Sequence, residues 1–109
     1  MKTETNGKRV AIYVNSNDQH HGRPLYTAIV QLCEQKGLAG ATVFRCAEGY
    51  GAHHELHTTR FLTLSENLPV CVEVIDLPER IDPFLADLDG LISGGFVTVN
   101  DVRMIRYQA

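Results

Sequence analysis

The five histidines of this 109-residue chain fall into two clusters, and each has a spacing that chemistry can use. His53, His54 and His57 form HHxxH. If that stretch turns helical, His53 and His57 share a face and make the start of a Zn or Cu site, because imidazole suits both metals. Only three ligands are in view and no local Cys or Asp completes a set, so the same run also reads as a polar loop. His20, His21 and Arg23 stand immediately before the first helical pattern. Free N–H groups and the positive dipole end of a helix attract anions, so a phosphate or carboxylate can dock there with Arg23 as its bidentate partner. The plainer reading is a polar run that caps and solvates a turn.

Glycines mark two further positions. Gly49-Tyr50-Gly51 closes the run GLAGATVFRCAEGYG, and Gly94-Gly95 follows the second helical pattern. Glycine allows positive φ or a close approach of backbone to a ligand, and it serves turns and helix ends equally well. Nucleophilic chemistry finds less support. Ser65 and Ser93 lack a GxSxG setting, no Walker-type loop with Lys-Ser/Thr is present, and Glu48, Glu55 and Glu66 are scattered acids without paired spacing. No catalytic residue is assigned, and enzyme activity is not expected. Cys33, Cys46 and Cys71 are odd in number, widely spaced and without a CxxC, which points to reduced, mostly buried thiols.

The elements that must position these residues belong to one domain of ordinary size. The net charge of −3 gives no bulk attraction to nucleic acid or anionic lipid. The N-terminal MKTETNGKR is polar throughout and lacks the apolar core of a signal peptide. Residues 1–8 are expected to be disordered, leaving 9–109 as the single domain. No apolar run approaches the roughly 20 residues a membrane span needs, so a cytoplasmic protein is expected.

Periodicity supplies the order. Arg9 to Asn15 (RVAIYVN) is apolar on both faces, as in a covered central strand. From Leu25, the positions Ala28, Ile29, Leu32 and Cys33 recur at helical spacing, with Pro24 in the first turn and Gly37 as the stop. A second strand runs through Ala41, Val43 and Cys46, and a third covers Pro69 to Asp76. About twenty residues lie between them, long for a connection in a compact domain and therefore a place to look for function. The second helix carries the stripe Ile81, Phe84, Leu85, Leu88, Leu91 and Ile92. Asp76 and Glu79 can form an acidic capping box, and Pro83 predicts a break at which Asp82 caps a restart. Val102 to Tyr107 is the last strand.

Two βαβ halves joined by a long loop fold, with right-handed crossovers, into a ferredoxin-like βαββαβ sandwich of class α+β. Both helices then cover one face of a four-stranded antiparallel sheet. Strands as apolar as AIYV and VCVEVI leave the other face too apolar for a soluble monomer, so that face is expected to be buried by self-association.

These residues also carry a family resemblance. GLAGATV, then GYG, then LPVCVEVID, then DVRMIRY resembles the PII-type nitrogen-signalling proteins, in which a similar strand leads through a Gly-aromatic-Gly turn into a long T-loop. With NDQHHGRPLYTAIV after the first strand, the chain is most similar to the PII-like branch marked by an HGRPLY segment. The resemblance implies a homotrimer with T-loops projecting from one face and a nucleotide, an adenine nucleotide by analogy, in each cleft between subunits. By the same motifs, Gly49, Tyr50 and Gly51 form the T-loop base near the adenine. Gly94 and Gly95 form a shortened phosphate loop, and Arg103 and Arg106 are the basic residues of the last strand. Read without the resemblance, those arginines are solvated edge charges.

Departures from the family pattern narrow the expectation. Where PII proteins have a Gln that helps hold magnesium, ATP and 2-oxoglutarate, this chain has Ala52, His53 and His54. Oxoglutarate sensing is therefore not expected. No tyrosine lies between Ala52 and Leu68, so a uridylylated tyrosine has no counterpart. The phosphate loop is cut to SGG without the family's lysine, which favours a nucleotide with fewer phosphates than a triphosphate. The expected function is a signalling module whose T-loop, ordered or released by an effector, docks on a membrane transporter or enzyme. The competing expectation is a metal-binding or metal-tolerance protein of the same fold using the His53/His54/His57 loop.

Overall fold

The computed structural model describes residues 1–50, 56–58 and 68–109. Eight strands and two helices follow in the order β1 (Lys2–Asn15), β2 (Gln19–His20), β3 (Arg23–Pro24), α1 (Leu25–Gln35), β4 (Ala41–Arg45), β5 (Glu48–Tyr50), β6 (Leu56–Thr58), β7 (Pro69–Asp76), α2 (Pro78–Leu88) and β8 (Phe96–Tyr107). Four strands form an antiparallel sheet in the order β4-β7-β1-β8. The two most apolar strands, β1 and β7, take the centre, where both faces can be covered.

One face carries the core. Val10, Ile12 and Val14 of β1 alternate with residues of the opposite face, as do Val70, Val72 and Val74 of β7. All six pack with Ile29 and Cys33 of α1 and with Ile81, Phe84 and Leu88 of α2. Phe84, Ile29 and Ile81 are fully buried, and at about 25 cal/mol per Å² of apolar surface such side chains each contribute roughly 1.5–3 kcal/mol before entropy is counted. The helix α1 ends in a Schellman motif. Gly37, at φ 70°, turns the chain so that its N–H donates to Glu34 O and the Leu38 N–H donates to Cys33 O, both at 3.1 Å.

Several expectations are corrected. Residues 1–8 are not a frayed tail, because β1 begins at Lys2 and pairs with β8 from Lys2↔Tyr107 onward. The last strand begins at Phe96 rather than Val102. Asp76 does not cap α2 as part of a box with Glu79. Its carboxylate is 2% exposed and accepts from the Leu77 N–H at 2.7 Å and the Ala39 N–H at 2.8 Å, tying the loop after α1 to the end of β7. Nor does the second helix restart at Pro83. It runs unbroken from Pro78 to Leu88, and Asp82 instead pairs with Lys8 at 3.0 Å. Two strands flank the undescribed residues 51–55, with Glu48↔Thr58, Gly49↔His57 and Tyr50↔Leu56 paired antiparallel. The expected packing of Phe61, Leu62 and Leu64 against the following strand lies outside the described residues.

The helix-free face has a different make-up. The register Phe44↔Cys71, Cys71↔Tyr13 and Tyr13↔Phe96 lays four side chains in one row across the whole sheet. Tyr13 and Phe96 stack with ring centroids 4.8 Å apart, and Phe44 and Phe96 remain 49% and 61% exposed. Beside the row, Arg9 Nε donates to Glu73 Oε2 at 2.6 Å, a pair that spans Ala11. The Glu73 carboxylate raises the Arg9 pKa still further above its ordinary value.

Candidate functional site

The sheet has two ends with different chemistry. At the loop end, the turn after β1, the exit of β4 and the start of β7 are stitched together. The Ser16 N–H donates to Leu68 O at 2.7 Å, the Leu68 N–H to Ser16 Oγ at 2.9 Å, and the Cys46 N–H to Pro69 O at 3.0 Å. This is where β5 and β6 leave, so Gly49, Tyr50 and His57 start from an anchored base. Gly51, His53 and His54 lie outside the described residues. His57 sits in extended backbone opposite Gly49, which removes the helical face it was expected to share with His53. Among the described residues no cluster of three or more His, Cys, Asp or Glu is placed to hold a metal.

Gly95 also belongs to this end, and its need for glycine is intramolecular. Its φ is 111°, and a Cβ there would overlap the carbonyl oxygen of Tyr13. The same construction at Gly94 meets nothing within 4 Å, so of the two only Gly94 has open space beside it.

A small hairpin projects beside the loop end. His20 pairs with Arg23, and the two residues between them, His21 and Gly22, have φ of 51° and 79°. Positive φ at both central positions is what a type I′ hairpin requires, and His is among the non-glycine residues that tolerate it. Asp18 fixes the hairpin to the sheet and to the helix: its carboxylate accepts from the Asn15 N–H at 2.9 Å and its carbonyl from the Leu25 N–H at 2.7 Å. The result holds the His20 and His21 rings 4.1 Å apart, with Arg23 donating to Gln31 of α1. Desolvation, reinforced by His21 and Arg23, pushes the His20 pKa below its ordinary value.

The other end is a ribbon. The last β1–β7 pair is Lys8↔Asp76, whereas β1 and β8 stay paired out to Lys2↔Tyr107, so two strands overhang the sheet. On this overhang Arg106 lines a cavity of about 200 Å³ together with Thr3, Thr5, Met104, Asp76 and Leu77 at the end of β7, and Arg80 in the first turn of α2. Arg80 is itself positioned by donating to Gly37 O at 3.2 Å. The Asp76 carboxylate at its edge already accepts from the Leu77 and Ala39 N–H groups, so what the space offers an anion is two guanidinium groups and two hydroxyls. Arg103 is not part of it: three positions from Arg106 on a regular strand, it emerges on the opposite face. The sequence reading missed Thr3, Thr5 and Arg80. The first two were hidden in a polar segment read as disordered, which becomes strand through its pairing with β8.

Gly95 and Arg106, both expected at the nucleotide, therefore do not meet within one chain. From Phe96, next to Gly95, to Arg106 is ten steps of extended strand, roughly 33 Å at ~3.3 Å per residue. The described cysteines are all free, with Cys33 and Cys71 buried and Cys46 partly so. Desolvation pushes the Cys33 thiol up to about 11, which keeps it protonated and unreactive at neutral pH.

A four-stranded antiparallel sheet in this order under two helices, with a long excursion after the second core strand, defines a PII-like domain of the ferredoxin type. The chain belongs to the DUF190 family, described as an uncharacterized ACR, which matches residues 7–104. A UPF0166 protein of Aquifex aeolicus (strain VF5) is 36% identical over 98 residues, covering 90% of this chain and 92% of that protein. Another from Methanocaldococcus jannaschii is 31% identical over 100 residues, covering 91% and 92%. Among solved structures, the nitrogen regulatory PII-like protein CPII from Thiomonas intermedia K12, bound to ADP, AMP and bicarbonate, superposes with a TM-score of 0.71. Its identity is 16%, and 94% of this chain and 91% of CPII are covered. A putative PII-like signalling protein from Thermus thermophilus gives a TM-score of 0.65 at 17% identity, covering 94% and 91%. The GlnK–ATP complex of B. subtilis gives 0.59 at 12%, covering 89% and 82%. No helix among the described residues is long and apolar enough to cross a membrane.

Proposed function

We propose that this protein is a non-enzymatic PII-like signalling protein that works as a homotrimer and binds an adenine nucleotide between subunits. The observation that carries this reading is the separation of the two residue sets. Gly49, Tyr50 and Gly94 belong to the loop end and Arg106 to the overhanging ribbon, too far apart to hold one nucleotide from a single chain. A second copy placed against the helix-free face brings a ribbon to a neighbour's loop end. The aromatic row Phe44, Cys71, Tyr13 and Phe96 supplies the apolar area such an interface needs. The ADP and AMP held by CPII support an adenine nucleotide as effector.

In this reading Arg106, with Arg80 beside it, meets the phosphates, and the backbone of Gly49 and Tyr50 at the T-loop base faces the base and sugar. Arg103, on the other side of β8, contributes charge but no phosphate contact. Binding at the loop base changes the loop only through its differential affinity for the loop's two states, and the loop then docks on a client transporter or enzyme. A subunit-mixing experiment tests the composite site. Arg106→Ala and Tyr50→Ala each lower ADP binding measured by calorimetry, and a co-expressed mixture of the two variants recovers a fraction of wild-type sites. Recovery of none, with both variants trimeric by light scattering, removes the intersubunit site.

A further inference from the structure

We infer that the groove between the two helices, beneath the His20–Arg23 hairpin, is a second ligand site, selective for a small monocarboxylate with a short apolar body. The groove encloses about 300 Å³ and lies on the helix-covered side of the molecule, separate from the ribbon cavity and from the residues assigned to the nucleotide. Three elements build it. Ala28, Gln31, Leu32 and Gln35 follow one another along a single stripe of α1 and form its floor. The hairpin supplies one wall, where the paired positions of His20 and Arg23 put both side chains on one face. The connection after α2, with Gly90 and Leu91, supplies the other.

Charge and polarity select the ligand. Four charged or titratable groups bear on the groove: His20, Arg23, Asp87 and, through its ion pair with Asp87, Lys36. Asp87 and Lys36 neutralise each other at the far end. At the near end Arg23 is, among the described residues, the one charge without an opposite partner, a fork of five donors of which one is committed to Gln31. Its remaining donors fit the two oxygens of a carboxylate. A single cation matches a single negative charge, whereas a phosphate dianion held by Arg23 would carry one charge more than the near end supplies. Between the two ends, Ala28, Leu32 and Leu91 offer only apolar surface, enough for a short carbon chain. An apolar floor with a few convergent polar groups is the usual make-up of a small-molecule site.

The type I′ turn gives the hairpin its role. His21 and Gly22 at positive φ close it tightly enough to set Arg23, itself exposed, within reach of Gln31 on α1.

The test is a titration of the ¹⁵N-labelled full chain with butyrate, hexanoate, inorganic phosphate and a tetrapeptide with a free C-terminus, followed by amide shifts. The expected result is saturable movement of Ala28, Gln31, Leu32 and Gly90 with hexanoate, weaker with butyrate and absent with phosphate. Arg23→Gln should weaken hexanoate binding at least tenfold, and Gln35→Trp should block it by filling the groove. Both substitutions are on exposed positions, and unchanged shifts elsewhere report that the fold is kept. ADP binding in the same samples is expected to be unaltered, so a failure of the groove and a failure of the nucleotide site are read separately. Saturation with phosphate, preferential binding of the tetrapeptide, no saturable shift with hexanoate, or hexanoate binding that Arg23→Gln leaves intact would each overturn the assignment.

Discussion

The two faces of the sheet are built from alternate residues of the same strands yet solve different problems. On the helix side Val10, Ile12, Val14, Val70, Val72 and Val74 are all aliphatic and at most 4% exposed. On the other side, Arg9, Ala11 and Tyr13 stand opposite Ile75, Glu73 and Cys71, and the exposed aromatics Phe44 and Phe96 end the row. A face closed by its own chain needs only volume and shape, because α1 and α2 are tethered to it. The other face carries aromatic rings, which give large contact area, and an ion pair, which can fix how a second copy is set upon it.

The sharpest way to break this comparison is to damage each face separately. Phe84→Ala empties the centre of the helix-side core and is expected to cost about 3–5 kcal/mol in urea denaturation. The double substitution Phe44→Asp/Phe96→Asp should leave far-UV circular dichroism intact while reducing the mass seen by light scattering from trimer to monomer. A trimer that survives both aspartates would mean that the helix-free face is not the interface.

Next in size is the contrast between neighbouring glycines. Gly95→Ala places a Cβ on the Tyr13 carbonyl at a φ of 111° and is expected to cost about 2 kcal/mol or more. Gly94→Ala, with open space around it, should stay within about 0.5 kcal/mol. If Gly94→Ala nonetheless weakens ADP binding, that open space belongs to the nucleotide. Equal stability losses at the two positions would contradict the geometry of the β8 entrance.

Much of this architecture was legible because it rests on periodicity. The strand Pro69–Asp76 and the helix beginning at Leu25 stand where the pattern put them, since each has a strong apolar repeat and a clear stop. What escaped was set by tertiary pairing. Thr3 and Thr5 have no apolar partner in the sequence and become strand only because β8 continues alongside them. Asp76 looked like a cap because local sequence cannot show the Ala39 N–H arriving from 37 residues away. Pro83 looked like a break, but the packing of Ile81, Phe84 and Leu88 holds the helix through it. For the proposed site, motifs pointed to Gly94, Gly95 and Arg106, but that the glycines precede one end of β8 while Arg106 stands near its other end needed the register. Arg80 and Gln31 are ordinary helix residues until the fold sets them beside Arg106 and Arg23.

A smaller effect separates the two arginines of β8. Arg106→Ala is expected to weaken ADP binding by about 1.5–3 kcal/mol, the range for hydrogen bonds to charged groups, and Arg103→Ala by much less because it leaves on the other face. Calorimetry that ranks Arg103 above Arg106 would place the nucleotide on the opposite side of the ribbon.

The smallest effect returns to the closed core. Cys33 is 3% exposed against the helix-side cluster, and burial raises its pKa from an ordinary value of 9.0 to about 11. Above pH 9 the unfolded chain loses this proton and the folded chain keeps it, so the unfolded state binds fewer protons and stability must fall as pH rises. The loss should be about 1 kcal/mol between pH 9 and 10 and should end once pH passes the folded value near 11. Other groups titrate in the same range, so the comparison is between slopes: Cys33→Ala should flatten the fall by that amount in urea titrations at pH 8, 9 and 10, whatever it costs in packing. Parallel slopes would show that solvent reaches the thiol and that the helix side is less completely closed than its valines indicate.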